Sequence, residues 1–290
     1  MMTITELLKK VRRIELKTRG LSNQVFSGNY KTRFKGRGMS FSEVRPYQYG
    51  DDVRNIDWNV TARTNEPHVK IFEEERELTF MLLVDVSGSA YFGSSQQYKL
   101  EVATEIAATL AFSASVNNDK VGAIFFSDKV EKFVPPKKGK PHILRILRDM
   151  LYLEPQQVTT NLNEPLKYLT NIIDKRCTAF ILSDFMTQDY EKAIRLAANR
   201  HDVIGVHLYD PLEEQLPNVG LLPTLDAETG QTRWVDTSSK AVRQAYEEHY
   251  QHHLHYFKTT FLRNNADVLS ISTEQSYLTA LIKFFKERRA

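Results

Sequence analysis

The chain has 290 residues, and its 39 Lys and Arg against 36 Asp and Glu leave a net charge of +3. This length can fold as one large domain or as one domain with a smaller companion, and the small net charge indicates no particular class of partner. The single cysteine, Cys177, cannot form an internal disulfide, and no stretch approaches the ~20 apolar residues that cross a bilayer. No signal peptide is apparent, so we expect a cytoplasmic protein without a transmembrane segment.

Residues 1–78 are predicted to form an N-terminal helix followed by a β-rich segment. Apolar residues recur at helical spacing over residues 3–18, with Thr3 and Glu6 as a capping box. Basic residues dominate the start of the chain and acidic residues follow them, so pairing within the chain is a simpler interpretation than binding to nucleic acid or anionic lipid. We expect a buried network of mutually paired charges to form from Asp51, Asp52, Arg54 and Asp57 together with Trp58.

From residue 79 to residue 290, predicted strands alternate with predicted helices, as in α/β proteins whose sheet is mostly parallel. Two apolar runs typical of strands buried on both faces end at Asp85 and at Asp184. The other strands are predicted over residues 121–126, 129–134, 203–209 and 267–271, and the helices over residues 99–116, 142–153, 162–173, 190–199, 240–263 and 274–288. We therefore predict an α/β fold in which helices flank a central, mostly parallel sheet.

Two serines follow the aspartate that ends the first of these strands, in the order Asp85-x-Ser87-x-Ser89. A carboxylate and two hydroxyls on one tight loop suit a hard divalent cation, and open α/β sheets bind ligands beyond the carboxyl ends of their strands. The same serines could instead cap a following helix. Two later residues favour the metal, because Thr160 lies in a polar loop and Asp184 ends a second apolar strand.

The strand–helix alternation is interrupted at about residues 212–238. Two short strand-like runs, Val219–Leu225 and Thr232–Asp236, are joined by a turn-rich sequence at residues 226–230. This pattern predicts a β-hairpin inserted into the α/β domain. Because neither the hairpin nor residues 22–78 can bury a core alone, we expect the two to pack together as one small β-rich lobe.

The five candidate site residues, an Asp-x-Ser-x-Ser run, a lone Thr and a Ser-Asp pair after a strand, resemble the metal-ion-dependent adhesion site of von Willebrand factor type A domains. The resemblance implies a Rossmann-like type A fold and a site for Mg²⁺ or Mn²⁺. In that family the serines and the threonine contact the ion directly, and the aspartates act largely through water. Carried over, the direct ligands are Ser87, Ser89 and Thr160, with Asp85 and Asp184 as acidic supports.

A second resemblance covers the segment upstream of the α/β region. Residues 37–58, RGMSFSEVRPYQYGDDVRNIDW, followed by Thr61-Ala62-Arg63, are similar to the bacterial family filed as domain of unknown function fifty-eight. Proteins of that family carry this run just ahead of a type A domain and are usually encoded beside MoxR-type AAA+ ATPases, some in operons linked to aerotolerance. The resemblance implies an adaptor or co-chaperone that works with such an ATPase.

Other functions have weaker support in the sequence. A Mg²⁺-dependent, phosphatase-like hydrolase could use Asp85, but Ser87 stands where that chemistry needs a general acid. The chain has no phosphate-binding loop for ATP. The histidines between His249 and His255 are better explained as a solvated or partly packed helix face than as a zinc site. We therefore predict a non-enzymatic, metal-dependent binding protein whose ATPase partner or client offers an Asp or Glu to the ion, with no nucleic-acid partner.

Overall fold

The computed structural model describes residues 40–73, 78–94, 97–153, 155, 159–225 and 231–288. Contacts within the chain divide it into a small unit, Arg33–Glu77, and a larger unit that contains everything from Leu78 onward. The helix predicted over residues 3–18 lies outside the described residues. In the described part of the chain, no helix is long and apolar enough to cross a membrane.

The elements are numbered here in chain order. The strands are β1 (Ser40–Pro46), β2 (His68–Glu73), β3 (Thr79–Asp85), β4 (Lys120–Phe126), β5 (Val130–Lys137), β6 (Thr178–Ser183), β7 (Asp202–Tyr209), β8 (Leu221–Leu225), β9 (Thr232–Asp236) and β10 (Asp267–Ser272). The helices are α1 (Trp58–Thr64), α2 (Lys99–Val116), α3 (Lys140–Tyr152), α4 (Asn163–Ile172), α5 (Glu191–Arg200), α6 (Pro211–Glu214), α7 (Lys240–Arg263) and α8 (Tyr277–Glu287). Short 3₁₀ turns occupy Val53–Asn55 and Gly88–Tyr91.

A six-stranded sheet forms the centre of the larger unit, in the order β10-β7-β6-β3-β4-β5. Neighbouring strands run parallel except β4 and β5, which pair antiparallel at one edge. Helices cover both faces, so β3 in the middle of the sheet is apolar at every position before Asp85 except its first. The predicted fold class, α/β with a central and mostly parallel sheet flanked by helices, is confirmed.

The alternating side chains of β3 separate the core into two layers. Phe80, Leu82 and Val84 pack in one apolar layer with residues of α2, α3 and α8. Met81 and Leu83 pack in the other layer with residues of α4, α5 and α7. Because each fully buried side chain of this size contributes about 1.5–3 kcal/mol relative to an exposed one, the two layers hold β3 firmly in its register.

The connections around β3 and β6 create a crevice at the carboxyl edge of the sheet. The helix that follows β3, α2, covers the first layer, whereas the helix that follows β6, α5, covers the second. Where the connections that follow two neighbouring strands leave to opposite faces, the loops separate and open α/β sheets bind their ligands. Asp85 and Asp184 leave the sheet on the two sides of this crevice.

The segment after β7 forms the short helix α6 and then a β-hairpin. In the hairpin, β8 pairs antiparallel with β9 as a separate two-stranded sheet. Both strands lie within the range of the predicted insertion at about residues 212–238. The packing of this hairpin against residues 22–78, as one lobe, stays a prediction.

The small unit consists of the β1–β2 hairpin and helix α1. Its charges do not form the expected buried network, because Asp52, Arg54 and Trp58 are exposed and Trp58 is 71% accessible. Two of the carboxylates instead accept hydrogen bonds from nearby backbone amides: Asp57 accepts from the first amides of α1, and Asp52 caps the 3₁₀ turn. The expectation of a buried network was therefore wrong, although Arg54 pairs with Asp52 at the surface, with Nε and Oδ1 3.5 Å apart.

Candidate metal site

The loop after β3 carries the first three candidate ligands. Val86 extends the pairing with β4 by one hydrogen bond, from its amide to the Phe126 carbonyl at 2.9 Å. The Ser87 amide then donates to Asp85 Oδ1 at 3.0 Å, and the Ser87 and Ser89 hydroxyls lie 3.2 Å apart. Ser87 makes no side-chain capping hydrogen bond, and the next long helix starts only at Lys99. The capping interpretation of Ser87 is therefore not borne out.

Asp85 is a buried carboxylate with both oxygens engaged. Oδ1 accepts from the Ser87 amide, and Oδ2 accepts from the Ser183 hydroxyl at 2.6 Å. Burial, together with the negative charge of Asp184, raises the pKa of Asp85 above its usual range, although the hydrogen bonds partly oppose this. The Asp85 side chain can steady the loop that carries the Ser87 and Ser89 hydroxyls, the hydroxyl loop, and also the end of β6, but it has little freedom to move.

Asp184, directly after β6, lies on the other side of the crevice. Its Oδ1 accepts from the Met186 amide at 3.2 Å, and its Oδ2 accepts from Lys99 Nζ at 2.8 Å. Burial alone would raise the pKa of Asp184, but the charge and hydrogen bond of Lys99 and a further hydrogen bond from Ser89 lower it below its usual range. Asp184 is therefore held as an anion that touches the hydroxyl loop.

The residue after Asp184 fixes the direction of this loop. Phe185 has a φ of 53°, a left-handed conformation that costs energy for a residue with a bulky side chain. Its ring is buried and stacks on Phe257 of α7, with ring centroids 4.1 Å apart, and its amide donates to the Ser183 hydroxyl. Packing of the ring therefore holds the turn that aims Asp184 into the crevice.

Lys99, the first residue of α2, is part of the site although the sequence analysis did not include it. It is 3% exposed, and its Nζ lies 2.8 Å from Asp184 Oδ2 and 2.5 Å from Glu213 Oε1 of α6. Burial would lower the pKa of Lys99, but the two carboxylates raise it above its usual value. Burial and the negative charge of Asp184 raise the pKa of Glu213 above its usual value, although Lys99 partly opposes this. A lysine at the start of an Ala-rich helix was the only signal available in the sequence.

Thr160 reaches the same edge of the sheet from the loop before α4. The amide of its neighbour Asn161 donates to the Ser127 carbonyl, just beyond the end of β4, at 2.9 Å. Thr160 Oγ1 is buried and has no hydrogen-bond partner within the described part of the chain. A buried hydroxyl without a partner costs about 1–3 kcal/mol, so this oxygen is suited to a ligand that the protein itself does not supply.

A cavity of about 20 Å³ lies between the loops, and Asp85, Ser89, Lys99 and Asp184 are among the residues that line it. This volume admits one water molecule or one small ion. The available donors are hydroxyl and carboxylate oxygens, which suit Mg²⁺ or Mn²⁺ rather than a softer metal. The structure thus brings Asp85, Ser87, Ser89 and Asp184 together and places Thr160 at the same edge, though neither Ser87 nor Thr160 is among the residues that line the cavity. Their role as metal ligands stays a prediction.

No cluster of three or more His, Cys, Asp and Glu side chains suited to a metal occurs among the described residues. An ion at the carboxyl edge would therefore depend on the hydroxyls. On α7, the rings of His249 and His253 are 4.5 Å apart, but His253 also packs near Gln188 and its Nδ1 lies 3.0 Å from the His249 carbonyl. Two histidines on one helix do not complete a zinc site.

Among solved structures, the chain is similar to the conserved hypothetical protein BatB of Bacteroides thetaiotaomicron, with 14% identity, 73% of this chain and 100% of that chain covered, and a TM-score of 0.46. An aerotolerance-related membrane protein of Bacteroides fragilis matches with 14% identity, 72% and 99% coverage, and a TM-score of 0.47. The SpRpn10 VWA domain matches with 13% identity, 71% and 94% coverage, and a TM-score of 0.41. TM-scores below 0.5 carry no weight for ligands or partners.

Sequence relatives are more informative. The uncharacterised protein Rv1480 of Mycobacterium tuberculosis is 31% identical over 287 residues, which cover 98% of this chain and 90% of the relative. The uncharacterised protein MAV169 of Mycobacterium avium is 26% identical over 159 residues, or 54% of this chain and 94% of the relative. The family described as "Protein of unknown function DUF58" matches residues 43–256, well over half of the sequence. The chain belongs to the DUF58 family.

Proposed function

We propose that this protein is a metal-dependent protein-interaction module that performs no chemistry of its own. The observation that carries the proposal is the buried, unpartnered hydroxyl of Thr160 at the sheet edge where Ser87 and Ser89 also present their hydroxyls. Oxygen donors converging on a crevice between parallel strands suit Mg²⁺ or Mn²⁺. Ser87, Ser89 and Thr160 would hold the ion, and Asp85 and Asp184 would support it.

Neutral hydroxyl ligands determine what such an ion can do. Serine and threonine oxygens leave the charge of Mg²⁺ largely uncompensated, and Mg²⁺ keeps open positions for water or for a further oxygen ligand. An incoming carboxylate would supply both a ligand and the missing negative charge. The chemistry that the ion supplies is therefore the capture of an Asp or Glu side chain from another protein.

Aromatic side chains beside the hydroxyl loop are suited to the same task. Tyr91 and Phe92 follow Ser89 after one intervening alanine, Tyr98 precedes Lys99, and these three aromatic residues are 45%, 39% and 54% exposed. Tyrosine is enriched at the centres of protein interfaces, where its ring contributes contact area at low entropic cost. A partner that brings a carboxylate to the ion would rest its neighbouring residues on these rings.

The alternative function, a Mg²⁺-dependent hydrolase with Asp85 as nucleophile, has less support. Both oxygens of Asp85 accept hydrogen bonds within the protein, and the side chain is buried. A nucleophile must reach its substrate and needs a nearby group to protonate the leaving oxygen. Ser87, at the position where that acid would stand, cannot supply the proton.

The proposed partner is a MoxR-type AAA+ ATPase, with this protein acting as its adaptor or co-chaperone in complex assembly or stress tolerance. This partner follows from the family resemblance of residues 37–63, and the absence of a phosphate-binding loop means that ATP hydrolysis would come from the partner. A client protein that offers the acidic side chain to the ion is equally compatible with the site.

The test is a capture assay between the purified full chain and a MoxR-type ATPase from the same genome, in MgCl₂. We expect Ser87→Ala and Thr160→Val to abolish capture, since each removes a direct ligand, and Asp85→Ala to weaken Mg²⁺ binding in calorimetry without unfolding the chain. Ser276→Ala is the matched control, because this exposed serine caps no helix amide with its side chain.

Comparing variants at constant MgCl₂ is necessary because a chelator also removes Mg²⁺ from the nucleotide of the ATPase. Capture that survives Ser87→Ala and Thr160→Val would show that the contact uses another surface. Unchanged Mg²⁺ affinity in Asp85→Ala would show that Mg²⁺ does not bind at this site. Steady phosphate release from a generic phosphate ester, lost in Asp85→Ala, would establish the hydrolase instead.

A further inference from the structure

The proposed metal site already contains a positive charge that belongs to the protein. Lys99 lines the same cavity as Asp85, Ser89 and Asp184. Its ammonium donates to Asp184 Oδ2 at 2.8 Å and to Glu213 Oε1 at 2.5 Å, and the residue is almost completely buried. Any cation that enters this cavity therefore meets the Lys99 charge.

The position of Lys99 is fixed from both sides. On one side, Asp184 is held by the Met186 amide. On the other side, Glu213 accepts from the Asp210 amide through Oε2 at 2.9 Å while its Oε1 accepts from Lys99. The ammonium thus cannot swing into solvent without breaking two charge-assisted hydrogen bonds, which are the strong kind.

We propose that Lys99 is a resident cation that sets the metal affinity of this site, because it repels the ion and occupies an oxygen of Asp184. The inference rests on the proposed metal site and deepens it. Like charges repel much more strongly in a buried cavity than in water, since the effective dielectric constant is lower there. An Asp184 oxygen that accepts from Lys99 is also less available to the metal or to its bound water.

Glu213 has the opposite effect on the ion. Its carboxylate offsets the charge of Lys99, so its removal leaves the ammonium less neutralised and the cavity more positive. Lys99 and Glu213 together therefore keep the metal affinity of the free protein at an intermediate value. A carboxylate from a partner would add negative charge to the ion, so that metal and partner would strengthen each other's binding.

The test is calorimetric titration of MgCl₂, and separately of MnCl₂, into the full chain and three variants. Lys99→Gln removes the charge but keeps a hydrogen-bond donor, and we expect it to bind Mg²⁺ at least ~10-fold more tightly than the wild type. Glu213→Gln removes the offsetting charge and is expected to bind at least ~3-fold more weakly. The double variant Lys99→Gln/Glu213→Gln should bind more tightly than Glu213→Gln.

The outcomes separate this inference from the metal site itself. If the wild type binds Mg²⁺ and Lys99→Gln binds it no more tightly, the role of Lys99 is overturned and the metal site stands. If the wild type fails to bind at millimolar MgCl₂ and Lys99→Gln binds, Lys99 replaces the metal and the proposed metal-loaded module is overturned. If neither binds, both are overturned. Near-ultraviolet circular dichroism checks that each variant folds. If Lys99→Gln does not fold, the Mg²⁺ affinity of the double variant is compared with that of Glu213→Gln, and a double variant that binds no more tightly overturns the role of Lys99.

Discussion

The two units of the protein use the same ion-pair chemistry at different degrees of burial. In the small unit, Arg45 forms a two-pronged pair with Asp51, with side chains 32% and 22% exposed. In the larger unit, Lys99 bridges Asp184 and Glu213, and the Lys99 and Asp184 side chains are 4% and 5% exposed. Distances alone do not distinguish the two arrangements; burial does.

The difference teaches what each pair can do. The Arg45–Asp51 pair is partly exposed, so water and salt screen it, and its loss should cost the fold less than the loss of a buried pair. A buried cluster has already lost its hydration, and removing one partner leaves uncompensated charges in the interior. The carboxyl edge of the sheet therefore holds buried charges whose desolvation lowers the stability of the fold. Buried charges of this kind are typical of functional sites.

The largest expected effect follows from removing the buried cation. Lys99→Ala leaves the carboxylates of Asp184 and Glu213 buried without their partner, and we expect the free energy of unfolding to fall by about 3–5 kcal/mol. Urea denaturation of the full chain at neutral pH measures it. Arg45→Ala in the small unit is the matched control and should cost far less. Equal losses in the two variants would remove the distinction drawn between the two units.

A slightly smaller effect is expected from the aromatic residue that follows Asp184. Phe185→Ala removes a buried ring from its stack on Phe257, and we expect a loss of about 3 kcal/mol in the free energy of unfolding. Trp58→Ala, which removes a larger but 71% exposed ring from the small unit, should change it little. Denaturation midpoints of the two variants provide the comparison, and a greater loss for Trp58→Ala would contradict it.

Buried histidines give the sheet a pH dependence. Burial lowers the pKa of His201 to about 4 and that of His207 to about 3, so both stay neutral in the folded state down to low pH. In the unfolded chain they take up protons below a pKa of about 6.5, so stability is complete above that pH and falls below it. At pH 5.5, one unit below 6.5, the protonation of each histidine in the unfolded chain should lower the free energy of unfolding by about 1.4 kcal/mol.

Urea denaturation at pH 7.5 and pH 5.5 measures this loss. His201→Gln should make the fall between the two pH values smaller, because the variant has one fewer group that binds a proton only when unfolded. The same substitution at His255, which is exposed on α7, is the control and should leave the fall unchanged. An unchanged pH dependence in His201→Gln would show that other groups cause it.

The smallest effect on the metal-free protein is expected at Thr160. Thr160→Val replaces an unpartnered buried hydroxyl with a methyl group, so we expect the free energy of unfolding without metal to rise by about 1 kcal/mol, at the low end of what burying such a hydroxyl costs. The same variant should lose the rise in melting temperature that MgCl₂ gives the wild type, since ligand binding to the folded state stabilises it. Thr64→Val, in an exposed helix of the small unit, should keep that rise. A rise retained in Thr160→Val would remove this hydroxyl from the site.

The sequence alone determined the sheet and the candidate ligands at its carboxyl edge. Continuous apolar strands and amphipathic helices alternate because both faces of a parallel sheet must be covered, and this signal is local. The order Asp85-x-Ser87-x-Ser89, then Thr160, then Asp184, pointed to one edge because carboxyl ends of parallel strands meet there. The adjacent sequence was enough to identify these residues as candidates.

Only the tertiary structure decided the charge of that edge and the surroundings of the small unit's side chains. Lys99 meets Asp184 and Glu213 across 85 and 114 positions of sequence, and no local pattern encodes such a pairing. The left-handed turn at Phe185 is likewise held by the distant Phe257. The sequence also could not show that the Trp58 ring is 71% exposed, because exposure depends on which residues pack around a side chain. Local propensity and periodicity act over a few residues, whereas burial and electrostatics depend on which distant segments the fold brings together.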